Sequence, residues 1–195
     1  MLSKDELLKS LSAHRTDEVV VTCMGVTRPW GRISDHDLDF ASADSAMGHT
    51  ADLALGIALA QPARKVLCLN GDGSMLMTLG TLVTIVDSGA ENLVLFVLEN
   101  GTYEITGNQK IPGADRVDFP GLARAAGFPR VYDLAFPRDF EAVLPRILSA
   151  GGPIFVGIQM EEGSEVPISR SDQEEARYLK TSLAESRASS YRPFM

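Results

Sequence analysis

The sequence predicts a three-layer α/β/α domain, doubly wound on a mainly parallel sheet. Apolar segments of strand length alternate along the chain with segments whose apolar residues recur at helical spacing. The strand segments, such as residues 65–70 (KVLCLN) and 92–99 (NLVLFVLE), are almost wholly apolar and do not alternate apolar with polar. Strands of that kind are buried on both faces, as in a parallel sheet covered by helices. Such domains bind ligands at the carboxyl ends of their strands, and that is where chemistry is expected.

Residues 4–14 predict a short amphipathic helix and residues 18–24 (EVVVTCM) a buried strand. Residues 25–45 are rich in Gly, Pro, Asp and Ser, and a stretch of that length is expected to be a functional loop or a poorly ordered one. In residues 48–61, Leu53, Ile57 and Ala60 share one helical face, with small Ala and Gly elsewhere for close packing. Residues 65–70 form the next strand, 75–88 a helix stopped by Gly89, and 92–99 a further strand. After a polar stretch, Asp118 caps a helix over 118–126 with Pro120 in its first turn. Strands at 130–134 and 153–160 (PIFVGIQM) flank a helix at 137–148. From Ser171 the chain is strongly charged, and a capped surface helix through Ser186 is expected. The division is therefore a domain over 1–165 and a tail over 166–195, with no internal repeat.

Composition narrows the function. At 195 residues, 45% hydrophobic, the chain can bury the core of one medium domain. A formal charge of -8 with scattered basic residues argues against nucleic acid or an anionic membrane as partner. No apolar run reaches membrane-spanning length and the first residues do not resemble a signal peptide, so a cytoplasmic setting is expected. Cys23 and Cys68 each lie in a strand-like run and read as buried thiols. An anionic ligand would need a metal or helix N-termini to bind to so acidic a chain.

Gly71-Asp72-Gly73-Ser74 and Asn100-Gly101-Thr102 meet that need. Residues 74 to 99, 26 in all, separate Gly73 from Asn100 and contain one helix and one strand. Asp72 and Asn100 thus leave the carboxyl ends of two strands, and neighbouring strands about 4.8 Å apart would bring them to one rim. A carboxylate and an amide oxygen suit Mg²⁺, which takes few protein oxygens and completes its shell with phosphate and water. Gly71 and Gly73 allow close backbone approach, and the helix following Ser74 would aim free N–H groups at a phosphate. A lone Gly-Asp-Gly is usually only a turn and a strand-end Asn only a cap; the joint pattern at this spacing is far rarer. Neither GxGxxG nor GxxxxGK[ST] competes for the phosphate role.

With Asn100 downstream, GDGS resembles the signature of thiamine diphosphate enzymes. The run from Met47 to Gln109 (MGHTADLALGIALAQP, VLCLNGDGSMLMTLGTLVTI, NGTYEITGNQ) is similar to phosphonopyruvate and sulfopyruvate decarboxylases. The resemblance implies Mg²⁺ ligation by Asp72, Asn100 and the backbone carbonyl of Thr102. It implies diphosphate contacts from Gly73 and Ser74, through backbone N–H and hydroxyl, with Gly71 beside them. Met47 matches the apolar residue that holds the cofactor bent, although an ordinary core Met is the alternative. Ser45 and Met47 would pair through their main chains with the aminopyrimidine, next to Gly48. His49 is either a cofactor or substrate contact or a helix-start histidine. Tyr103, Glu104 and Gln109 match the family's loop over the cofactor. His14 and His36 carry no such match.

The family also needs a glutamate bonded to the aminopyrimidine, carried on a second α/β domain. One sheet uses residues 18 to 160 here, so that half is expected from a separate subunit, as in two-subunit sulfopyruvate decarboxylases. The resemblance therefore implies the diphosphate-binding subunit of a decarboxylase of small 2-oxo acids, silent without its partner. A β subunit of a 2-oxo acid:ferredoxin oxidoreductase is the alternative suggested by residues 103–109 (YEITGNQ), weakened by two isolated cysteines. Carboligation is a variant of the first reading. A non-catalytic module conflicts with the intact metal ligands. For an anionic substrate group, Arg28, Arg32 and Lys110 are the weak candidates near the mouth.

Overall fold

The computed structural model describes residues 2–41 and 47–165. Within them the chain runs α1 (Lys4–His14), β1 (Val19–Thr22), α2 (Met24–Gly31), β2 (Asp39–Ala41), α3 (Thr50–Ala60) and β3 (Val66–Gly71). It continues through α4 (Asp72–Met77), α5 (Thr81–Ser88), β4 (Leu93–Glu99) and a small hairpin of β5 (Thr102–Tyr103) and β6 (Gln109–Lys110). It ends in α6 (Phe119–Ala126), β7 (Arg130–Leu134), α7 (Pro137–Ser149) and β8 (Ile154–Gln159). Six strands form one sheet in the order β2-β1-β3-β4-β8-β7, and every pairing is parallel. The chain steps from β1 outward to β2 and then returns to β3 on the other side of β1. The carboxyl ends of β1 and β3 are therefore a topological switch point, where open α/β sheets leave a crevice.

The almost unbroken apolar strands are explained by two cores, one on each face. Along β4, Leu93, Leu95 and Val97 enter one core, and Val94, Phe96 and Leu98 the other. Helices α1, α2 and α7 cover the second of these faces through Leu7, Leu8, Leu11, Trp30, Phe140 and Leu144. Helices α3 to α6 cover the first through Ala54, Met75, Ile85 and Ala123. This is the predicted three-layer arrangement. Cys23 and Cys68 are free and buried, as their strand-like surroundings required. No helix among the described residues is long and apolar enough to cross a membrane.

Two expectations are corrected. Residues 25–45 are not a single long loop: they contribute most of α2 and all of β2. Buried Trp30 and Val26 anchor α2, while the Arg15 guanidinium 2.6 Å from Asp39 and the Ser34 hydroxyl 2.6 Å from the same carboxylate tie down the edge strand. Arg15 comes from distant sequence, which a local reading does not weigh. The helix expected over 75–88 is two helices, and the first begins at Asp72. At the break, Thr78 donates its hydroxyl to the Gly48 carbonyl (2.5 Å) and Thr81 to Asp52 (2.6 Å), binding the kink to the start of α3. Residues 42–46, among them Ser45, and the tail 166–195 lie outside the described residues.

The face under α7 offers a direct stability test. Phe140 is 1% exposed and meets Phe96 edge-on, with centroids 6.4 Å apart. Phe140→Ala leaves a void that the surrounding strand and helix can only partly close. The expected cost is about 3–5 kcal/mol, measured by urea unfolding followed by circular dichroism.

Candidate functional site

A cavity opens at the switch point, where the carboxyl ends of β1, β3 and β4 meet. Residues 23–26 form one wall, 71–74 the floor, and Asn100 with residues 102–106 the opposite wall. Met47, Gly48 and Met77 border it on the α3 side, and Lys4 reaches in from α1. Strands β3 and β4 are direct neighbours, with Gly71 opposite Leu98. The residues that continue them, Asp72 and Asn100, therefore emerge side by side at one rim.

Asp72 is 2% exposed, and each of its carboxylate oxygens accepts a backbone N–H, from Gly73 and from Gly101, both at 2.7 Å. Burial pushes its carboxyl up to about 6 despite these stabilising N–H bonds. A desolvated carboxylate so placed gains most from a cation. Behind it, Glu99 is pushed up to about 8 by burial and then by the nearby carboxylates Asp133, Asp72 and Asp118. The Asn100 side-chain oxygen accepts the Thr102 N–H at 3.1 Å, and its amide nitrogen donates to Glu104 at 3.3 Å. Among the described residues no group of three or more His, Cys, Asp or Glu could hold a metal. A cation here would thus rely on the hard oxygens of Asp72, Asn100 and the Thr102 carbonyl, a set suited to Mg²⁺.

The α4 side of the cavity carries one unsatisfied group. The Ser74 hydroxyl is buried and has no hydrogen-bond partner among the described residues, an arrangement that costs free energy unless a ligand completes it. The Gly73 N–H, expected to face the ligand, is taken by Asp72. Gly73 instead makes room for Tyr103, whose ring carbons would lie 2.6 and 2.7 Å from any added Cβ. Gly48 adopts φ +84°, and a Cβ there would sit 2.7 Å from Met77 Cβ. That close turn sets Met47, 65% exposed, beside Met77 on the cavity border.

Glu104 lies in the wall, 6% exposed. His49 stands apart: its Nδ1 meets Asp52 at 2.6 Å, its side chain is 60% exposed and it does not line the cavity. Gln109 exchanges hydrogen bonds with Thr106 on the outer side of the hairpin. Arg28, Arg32 and Lys110 do not line the cavity; Arg32 pairs with Glu165 and Lys110 with Asp115. Among the described residues the cation that does is Lys4, which sequence reasoning passed over. No local signal marks it, because α1 reaches the site only through tertiary packing.

Comparison with known proteins adds an independent line. The sequence profile described as thiamine pyrophosphate enzyme, C-terminal TPP binding domain, matches residues 34–158. The chain is 34% identical over 184 residues to sulfopyruvate decarboxylase subunit beta of Methanothermobacter thermautotrophicus, covering 92% of this chain and 95% of that one. It is 34% identical to a phosphonopyruvate decarboxylase of Streptomyces hygroscopicus, over 78% of this chain and 37% of that protein. Among solved structures, benzoylformate decarboxylase from Polynucleobacter necessarius superposes with a TM-score of 0.70 at 20% identity, over 86% of this chain and 34% of that one. That likeness speaks to the fold alone.

Gly73 tests the packing of the site. Gly73→Ala must displace the Tyr103 ring or shift α4, and Ile111 stands 3.2 Å away on the same side. The expected loss is about 1–3 kcal/mol, measured by urea unfolding; unchanged stability would show that the ring moves freely.

Proposed function

The chain belongs to the thiamine pyrophosphate enzymes through their C-terminal TPP binding domain, and from that premise we propose that it is the diphosphate-binding subunit of a two-subunit, Mg²⁺-dependent 2-oxo acid decarboxylase. One observation carries the proposal: a buried carboxylate at Asp72 and, two residues on, a partnerless buried hydroxyl at Ser74 line one cavity at a strand–helix turn. The first suits a cation and the second a phosphate oxygen, so the residues fit a metal–diphosphate group. Near-complete coverage of a protein named as a beta subunit supports the split arrangement. The named relatives support a small 2-oxo acid with a second anionic group as substrate.

When bound, the cofactor's thiazolium acts as electron sink for loss of carbon dioxide from the 2-oxo acid. The chain's own residues hold and orient. Asp72, Asn100 and the Thr102 carbonyl present oxygens to Mg²⁺, and the Ser74 hydroxyl donates to the diphosphate. Met47 and Met77 would offer the cofactor an apolar border to rest against. Activating the aminopyrimidine requires a carboxylate free to share a proton with it. Glu104 does not fit that task, because its oxygens already accept from Lys4, Asn100 and the Glu165 N–H. We assign the activating carboxylate to a separate pyrimidine-binding subunit, an arrangement supported by likeness to a protein named as a beta subunit.

Two substitutions separate cation from phosphate. Asp72→Ala is expected to abolish Mg²⁺-dependent binding of thiamine diphosphate while the circular dichroism spectrum stays unchanged. Ser74→Ala is expected to cost no stability, since the hydroxyl it removes has no partner, yet to weaken the cofactor about tenfold, the worth of one hydrogen bond to a charged group. Calorimetric titration with and without Mg²⁺ measures both, and wild-type affinity in either variant would refute that residue's role. A third expectation concerns the assembly. The purified chain with Mg²⁺ and cofactor should not decarboxylate sulfopyruvate or phosphonopyruvate until the partner subunit is added; turnover by the chain alone would overturn the split-enzyme reading.

A further inference from the structure

We propose that Lys4 and Glu104 are positioning residues that fix which end of the Asn100 amide faces the cation, making the N-terminal helix part of the metal site. The proposal rests on the reading of Asn100 as a Mg²⁺ ligand. An asparagine can present either oxygen or nitrogen after a half-turn of its amide, and only the oxygen can bind a metal. Here the two ends are not interchangeable. The Asn100 nitrogen donates to Glu104 Oε2 at 3.3 Å, and the Asn100 oxygen accepts the Thr102 N–H at 3.1 Å. A carboxylate only accepts and a backbone N–H only donates. Turning the amide over would set oxygen against carboxylate and NH₂ against N–H, and both contacts would become repulsive.

Glu104 can select the amide orientation only if it is itself held. Its Oε2 lies 2.5 Å from Lys4 Nζ across 100 residues of sequence, and its Oε1 accepts the Glu165 N–H at 2.9 Å. A carboxylate 6% exposed needs such a charge partner. Lys4 is held in turn by the Gly25 carbonyl, 2.9 Å from Nζ. That carbonyl is available because Pro29, four residues further along α2, has no N–H to return to it. The first turn of α1, which carries Lys4, is set by a capping box between Ser3 and Glu6, and its inner face is set by Leu7, Leu8 and Leu11 in the core. The chain of support runs from helix cap to lysine, carboxylate, amide and cation site. Lys4 could otherwise be read as a contact for the substrate's second anion, but its charge is matched by Glu104 and two of its three N–H donors go to Glu104 and the Gly25 carbonyl.

The test uses the full chain with saturating thiamine diphosphate and Mn²⁺ as the metal probe, whose free concentration is read by electron paramagnetic resonance. Supporting contacts around a metal ligand are typically worth 10–100-fold in metal affinity, so Lys4→Met and Glu104→Gln should each weaken Mn²⁺ by about tenfold or more. Lys4→Arg, which keeps the charge and donors, should recover most of that loss. Urea unfolding of each variant separates the effect from a general loss of stability, and Glu104→Gln, close to isosteric, keeps the test alive if Lys4→Met does not fold. Wild-type Mn²⁺ affinity in both Lys4→Met and Glu104→Gln would overturn the proposal, as would a Lys4→Met variant whose only change, in the assembled enzyme, is a raised KM for the 2-oxo acid. Asp72→Ala is the control on the underlying reading. If it too binds Mn²⁺ normally, the metal assignment fails and the positioning role with it; if it alone loses Mn²⁺, only the positioning role fails.

Discussion

The parallel pairing of β3 with β4, in a register that sets Gly71 against Leu98, is the constraint on which the site depends. It is held by interior packing far from the chemistry. Leu67, Leu69, Val94, Phe96 and Leu98 interlock on one face, and Cys68, Leu93, Leu95 and Val97 on the other. A slip of one residue would exchange the two faces of a strand and carry Asp72 or Asn100 away from the shared rim. Because both faces are apolar, binary pattern alone does not forbid that slip. The side-chain volumes packed by the helices do, and so the core fixes the rim where Asp72 and Asn100 meet.

Polar groups at the rim are nearly all satisfied within the chain, and the exceptions mark where a ligand belongs. Asp72 accepts two backbone N–H groups, Asn100 uses both ends of its amide, and Glu104 accepts from three donors. The Ser74 hydroxyl alone among these is left buried without a partner. Folding thus tolerates a desolvated carboxylate and an orphan hydroxyl side by side, two local costs that a metal–diphosphate group would relieve together. Binding of such a group is accordingly coupled to the stability of the folded chain.

The cavity is also one-sided. Its polar floor is built by the ends of β3 and β4, while Met47 and Met77 leave exposed apolar surface at its border. Exposed methionines beside a concave site are costly in water and suit contact with another apolar surface, whether cofactor or partner. Likeness to a protein named as a beta subunit over nearly its whole length agrees with such a half-site.

Much of this was legible in the sequence. Apolar strands between helical segments determined a parallel sheet with two covered faces, because only such a sheet buries both sides of a strand. The spacing from Gly71-Asp72-Gly73-Ser74 to Asn100 determined that the two ligand candidates leave successive strands at the same end, because one helix and one strand fill the gap. Tertiary structure decided the rest. Residues 25–45, which read as a functional or poorly ordered loop, contribute to a helix and an edge strand because Trp30 finds a core and Asp39 finds Arg15. His49, adjacent to the motif in sequence, turns outward because Asp52, one helical turn on, takes its ring nitrogen. Lys4 enters the cavity because Pro29 frees the Gly25 carbonyl and Glu104 supplies a buried charge to meet it. Arg15 and Glu104 are partners that local sequence cannot name, since spacing reports which residues leave the same strand end but not which distant side chain arrives to meet them.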